Sequence, residues 1–443
     1  MNIIEIKSPY GLIKGLDYGD YSLFKGIRYA KAERFEYPEP ITSYYDIYDA
    51  TNWGDCSYQQ RAFEEDAKCN PFYHHEFREG MSFSYSEDCL FLNIWAPKKK
   101  EKCPVIVYIH GGSFTGGSGN EGHISGERFA KHDTVFVSIN YRLGPFGFIS
   151  HPDLRDKNGR CGNMGLYDQT AALQWVKANI ESFGGDSENI CIMGQSAGAM
   201  SCDIHLSSKL SKGLFNKAIL MSGAGLQRFM VKPLKVEDTR KFWDIVVQNA
   251  GVSKADELRD VDAKTLYYAW LDAQKQIKMA MKYTFPVIDG EIIGDGTFNA
   301  DSIPDMPYIL GMTITDMIPA ILVYITKKWA EICQKNNNNC YVYNFNRLLP
   351  GDDKGAWHSA DLLYAFSTLD NNWRPFEDID RKISSQMSDS FIAFARNGNP
   401  NCDSMPCWDD NYKRPMKFCE STQAGKWEMK ELVHNTLFNM MSI

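Results

Sequence analysis

A chain of 443 residues, 44% of them hydrophobic and with ordinary charge content, has the composition of a soluble globular protein with a sizeable core. Its formal net charge of −8, from 48 basic and 56 acidic residues, argues against a general nucleic-acid binder. No stretch approaches the roughly 18 consecutive apolar residues of a membrane span, and the opening MNIIEIKSPYGLIKG lacks a basic segment followed by a long apolar one, so neither a span nor a classical export signal is expected.

No linker, repeat or low-complexity block divides the sequence, and a single domain over residues 1–443 is expected. The twelve cysteines are scattered without a CxxC pair, and no N-x-Ser/Thr sequon occurs. The cysteine pattern points to buried free thiols, and the two observations together to a cytoplasmic protein.

In chain order, the first hundred residues alternate short apolar runs with Gly and Pro turns, which predicts an antiparallel β region. The pattern then changes to apolar strands alternating with amphipathic helices. Val105 to Ile109 is a strand ending in HGGSF, Val135 to Ile139 ends in NYRLGPFGF, and Leu166 to Phe183 carries apolar residues at helical spacing. Ile190 to Met193 and Lys217 to Met221 are further strands. The segment 227–282 is helical and polar, with helices expected over Lys235 to Val252 and Asp256 to Gln276, and reads as a cap-like insertion. Tyr308 to Leu310 and Cys340 to Phe345 add two strands, Asn336 to Asn339 is a loop, and a last helix runs near Ile383 to Arg396. The expected fold is α/β, with a mostly parallel central sheet covered by helices on both faces.

The chemistry centres on NICIMGQSAGA, Asn189 to Ala199. A strand leads into GQSAG and a helix leads out, so Ser196 stands on a sharp corner where side chains at Gly194 and Gly198 would collide. A serine hydroxyl is a weak nucleophile at neutral pH and needs a general base, itself oriented by an acid. In the chain order serine, acid, histidine, the available bases are His205, His358 and His434. His205 lies on the elbow's own helix, about two and a half turns beyond the serine, and cannot easily reach. His434 sits in the tail with no motif around it. His358, in GAWHSADLLYAF after the last strand, is the candidate base. Asp316, in the loop after the preceding strand, is the candidate acid, and Asp361 is its competitor. Backbone N–H groups of Gly111, Gly112 and Ala197 are the candidate oxyanion hole.

The sequence resembles the type-B carboxylesterases, the family that includes the cholinesterases, within the α/β-hydrolase fold. EDCLFLNIW (Glu87 to Trp95), HGGSF, NYRLGPFGF, GNMGLYDQTAALQWVKANIESFGGD (Gly162 to Asp186) and GLFNKAILMSG (Gly213 to Gly223) carry the resemblance. FPVIDG and FARNGNPN continue it. It implies Ser196 as nucleophile, His358 as base, a structural ion pair between Glu87 and Arg142, and hydrolysis of carboxylic esters without metal or organic cofactor.

Three departures stand out. Asp316 occupies the place of the family's usual glutamate, Gln195 precedes the serine where glutamate is usual, and the segment between Asp316 and His358 is short. Extracellular members join the EDCL cysteine to an upstream one; Cys69 and Cys89 correspond here, and free thiols are expected in their place.

The stretch Cys69 to Cys89 holds Phe72, Tyr73, Phe77, Phe83 and Tyr85 but no tryptophan, which disfavours choline esters. Phe114, Gln195 and Trp357 are candidate pocket residues, and Trp373 is more simply a core aromatic. The expected substrates are neutral aryl or short-to-medium acyl esters. A non-catalytic binding protein on the same scaffold and an acyltransferase are the alternatives.

Overall fold

The computed structural model describes residues 2–98, 100–294 and 303–441. One twisted sheet organises them. Its strands are β1 (Asn2–Ser8), β2 (Gly11–Asp17), β3 (Tyr21–Arg28), β4 (Phe91–Pro97), β5 (Cys103–Ile109), β6 (Val135–Ile139), β7 (Gly185–Gln195), β8 (Lys217–Met221), β9 (Tyr308–Thr313), β10 (Cys340–Phe345), β11 (Met416–Phe418) and β12 (Gln423–Ala424). They lie in the order β1-β2-β3-β4-β6-β5-β7-β8-β9-β10-β11-β12, and Tyr48–Asp49 adds a short pairing to β2. From β6 to β11 every pairing is parallel; β1 to β4, the β4–β6 pair and β12 are antiparallel.

Residues of β5, β6, β8, β9 and β10 are buried along their whole length, which is why these strands read as continuous apolar runs rather than alternating ones. The helices supply the cover: α1 (Met164–Asn179), α2 (Ala197–Ser207), α3 (Val236–Asn249), α4 (Ala263–Gln276), α5 (Pro319–Lys335), α6 (Asp361–Ala365), α7 (Asp378–Asn397) and α8 (Met429–Met441).

In the cap-like segment, α3 matches its expected span within a few residues. The second helix starts later than expected, because residues Ala255–Arg259 form a separate 3₁₀ turn and Asp262 caps α4 by accepting from the Thr265 N–H at 3.0 Å. Phe242, Trp243, Val246, Leu266 and Trp270 of these two helices form their own small core with Phe146, Ile149 and Met164. The α5 helix, not among the elements expected from the sequence, opens with Pro319 and buries Leu322, Val323, Trp329, Ala330 and Cys333 on one face.

All twelve cysteines are free thiols, Cys69 and Cys89 included. The expected Glu87–Arg142 pair does not form. Arg142 lies buried at the end of β6 and makes a two-pronged pair with Asp168 of α1, at 2.8 and 2.7 Å, while half-buried Glu87 pairs with Arg34. The remaining Arg142 nitrogen donates to the carbonyls of Glu33 and Glu36, at 3.3 and 2.8 Å. Among the described residues no helix is long and apolar enough to cross a membrane.

Candidate active site

The elbow is as tight as its glycines imply. A Cβ on Gly194 would stand 2.3 Å from the Gly198 carbonyl oxygen, and one on Gly198 would stand 2.0 Å from that of Ile109. Ser196 itself takes φ 55° and ψ −123°, a left-handed conformation costly for a side-chain-bearing residue, and its N–H is anchored on the Met221 carbonyl at 2.8 Å. The strain sits where β7 hands over to α2 and lifts the serine out of the sheet.

His358 and Asp316 come from the two loops that follow β10 and β9. A parallel bridge between Thr315 and Trp357 ties those loops together, so the next residue in each, Asp316 and His358, stand side by side. His358 Nδ1 lies 2.7 Å from Asp316 Oδ1. The same oxygen accepts the Met317 N–H at 2.7 Å, and the Thr313 hydroxyl donates to Oδ2 at 3.3 Å.

Burial alone would raise the Asp316 carboxyl, but the neighbouring imidazole, by charge and by hydrogen bond, holds it below the usual carboxylate range. Burial likewise disfavours the His358 imidazolium, yet Asp316, joined by the more distant Asp361, lifts its pKa above the ordinary histidine value. An ionised Asp316 fixes the tautomer: Nδ1 carries the proton and donates it, leaving Nε2 with a lone pair.

Asp361 is engaged elsewhere. It accepts the Tyr343 hydroxyl at 2.7 Å, its other oxygen has no hydrogen-bond partner, and burial pushes its carboxyl up to about 6. His205 is buried between Ser211 and Gln169, its two ring nitrogens 2.8 and 2.9 Å from them, and burial lowers it to about 3. His434 is exposed on α8.

Ser196, His358, Gly111, Gly112 and Gln195 line one cavity of about 370 Å³. Gly112 takes φ +107°, and a Cβ there would stand 2.2 Å from the Gly116 carbonyl oxygen, so the HGGSF turn needs glycine at that point. Ala197 begins α2 beside it.

Of the candidate pocket residues, Gln195 reaches the cavity and the two aromatics do not. Phe114 is fully buried behind the turn, its ring 5.0 Å from Phe148 and 5.7 Å from Phe285. Trp357 stands behind the aromatic wall, packing edge-on against Phe72 and Tyr73, and Tyr73 with Phe77 forms the wall itself. Trp373, expected in the core, is 40% exposed and stacks on His75 at 4.6 Å.

The cavity also has a charged side that the sequence did not announce. Arg61 and Glu121, only 5% and 4% exposed, pair at 2.7 Å. Arg78 bonds Asp66 at 2.6 and 2.9 Å and approaches the second Glu121 oxygen at 3.7 Å. Burial would raise Glu121, but the two arginines bring it down to about 2. His110 and His123 are each lowered to about 4 by burial and are neutral near pH 7. Two guanidinium groups thus balance two carboxylates, and the wall is polar without net charge. A larger open groove of about 1350 Å³ holds none of the predicted site residues, and several of its charges pair with one another, as Arg160 does with Asp156 and Arg259 with Glu36.

The parallel sheet with a strained serine at the strand-to-helix turn, and an acid and a histidine on later loops, defines an α/β hydrolase. A structure of PNB esterase superposes with a TM-score of 0.82 at 25% identity, covering 98% of this chain and 99% of that one. The carboxylesterase of Geobacillus stearothermophilus gives 0.80 at 26%, covering 97% and 99%.

The Carboxylesterase family model matches residues 2–328 and 320–440, and the chain belongs to that family. Among its relatives are the para-nitrobenzyl esterase of Bacillus subtilis, 29% identical over 90% of this chain and 91% of that protein, and the fumonisin B1 esterase of Sphingopyxis macrogoltabida, 28% identical over 94% and 86%. The protein is a carboxylic ester hydrolase.

Proposed function

We propose that Ser196 is the nucleophile, His358 the general base and Asp316 the orienting acid of a two-step hydrolysis through an acyl-enzyme. The observation that carries this reading is the 2.7 Å contact of His358 Nδ1 with buried Asp316, in the cavity that holds the strained Ser196. Ser196 Oγ attacks the ester carbonyl as its proton passes to His358 Nε2, and the backbone N–H groups of Gly111, Gly112 and Ala197 stabilise the tetrahedral oxyanion. The alcohol leaves with the proton from His358. Water then attacks the acyl-enzyme by the same route and releases the acid.

Neutral aryl or short-to-medium acyl esters are the substrates that suit a cavity of this size with an aromatic wall and no net charge on its polar side. A cytoplasmic location is supported by the free state of all twelve thiols. Hydrolysis of p-nitrophenyl esters of graded acyl length tests the reading: activity should peak at short or medium chains, and an inert protein would favour the non-catalytic alternative. Product analysis with added alcohol separates hydrolysis from acyl transfer.

A further inference from the structure

The His358 nitrogen that must receive the serine proton is already engaged. Gln195 Nε2 lies 3.2 Å from His358 Nε2, and among the described residues no hydrogen bond joins Ser196 Oγ to that nitrogen. With Nδ1–H donated to ionised Asp316, Nε2 offers one lone pair, so the carboxamide can face it only through an N–H. The other end of the carboxamide has its place because Gly111 lacks a side chain: Gln195 Oε1 would stand 2.9 Å from a Cβ there. Gln195 is 3% exposed and packs between the oxyanion turn and the imidazole.

We propose that Gln195 is a positioning residue that occupies the His358 Nε2 lone pair in the resting enzyme, so that Ser196 gains its base only when this contact gives way. The inference rests on the assignment of Ser196 and His358 above. Once the serine proton has moved to Nε2, that nitrogen is a donor, and a carboxamide turned end for end offers Oε1 to it. The same side chain can therefore pair with either protonation state of the histidine, which a glutamate could not do. The groups facing His358 are Asp316 from the loop after β9, Asp361 from α6, the Tyr73 hydroxyl donating to the His358 carbonyl at 3.2 Å, and Gln195 from β7. The Arg61–Glu121 and Arg78–Asp66 pairs balance one another on the rest of the wall.

The test is the second-order rate of Ser196 sulfonylation by phenylmethanesulfonyl fluoride, mapped by mass spectrometry and followed from about pH 5 to about pH 9. In that step the Ser196 Oγ–S bond forms, the S–F bond breaks, and the serine proton departs through His358 with the fluoride. Gln195→Leu, similar in size but without a donor, should react about two- to tenfold faster than the parent on the alkaline plateau, the equivalent of one released hydrogen bond. Gln195→Met serves if the leucine variant does not fold. Gln195→Glu should move the acid limb of the profile upward by about one pH unit, because a carboxylate favours the imidazolium.

An apolar variant that reacts at the parental rate or more slowly, or a glutamate variant with an unmoved limb, overturns the proposal. A parent protein labelled elsewhere than Ser196 overturns the nucleophile assignment, and the proposal with it.

Discussion

Replacing Asp316 by asparagine isolates the role of the acid with almost no change of shape. In the parent, Oδ1 accepts both His358 Nδ1–H and the Met317 N–H at 2.7 Å, while Oδ2 faces the Thr313 hydroxyl. An asparagine must put an NH₂ group at one of these two places. With the amide nitrogen at the first, it opposes the Met317 N–H and forces the proton onto the wrong imidazole nitrogen. With the nitrogen at the second, the Thr313 hydroxyl can rotate to accept, but the NH₂ group opposes the Thr313 backbone N–H at 3.5 Å, and the imidazolium formed during reaction loses its counter-charge. Either arrangement should lower kcat/KM for a p-nitrophenyl ester by about 10³- to 10⁴-fold, equivalent to about 4 to 5.5 kcal/mol.

The pH profile carries an independent signature. Asp316 raises the pKa of His358 in the parent, so the acid limb of kcat/KM should move to lower pH in the variant. Asp361→Asn, which leaves the His358–Asp316 bond intact, should cost less than about tenfold. Full activity in Asp316→Asn together with collapse in Asp361→Asn would refute the assignment of the acid.

Other outcomes follow from the same geometry. Glu121→Gln leaves Arg61 and Arg78 without their shared counter-ion, and should lower unfolding free energy by about 3 to 5 kcal/mol in urea titrations. In the parent, Glu121 sits at about 2 in place of its ordinary 4.5, a depressed acid. Its contribution is therefore present above about pH 4.5 and is lost as pH falls towards 2, by about 3 kcal/mol at most, which acid unfolding compared with the glutamine variant should detect. Phe114→Ala should act through packing, costing about 3 to 5 kcal/mol of stability while leaving KM nearly unchanged in the fraction that folds, because the ring is buried behind the HGGSF turn.

Legibility of the fold and site in the sequence followed the range of the interactions involved. Local devices were plain: the fully buried strands Val105–Ile109 and Val135–Ile139 and the Gly194/Gly198 elbow each leave a compact pattern over a few residues. The pairing of Asp316 with His358 depends on the bridge between Thr315 and Trp357, two loops apart in sequence, and so could be inferred from chain order but not seen. Arg142 shows the limit of such inference. The resemblance implied Glu87 as its partner, but the fold brings Asp168 to Arg142 and Arg34 to Glu87. Arg61 and Glu121 gave no signal at all, since a charged pair reads as surface until the fold encloses it. Phe114 and Trp357 lie close to the reacting groups in sequence, yet their side chains point into packing, and adjacency along the chain does not fix direction.

The central claim, that ester hydrolysis proceeds through an acyl group carried on Ser196, is tested most directly by rapid-mixing release of p-nitrophenol from the parent and from Ser196→Ala. The account predicts a burst in the parent, stoichiometric with enzyme and matched by one acyl group on the Ser196 peptide, and none in the variant. An undiminished burst in Ser196→Ala, or an acyl group on another residue of the parent, would contradict it.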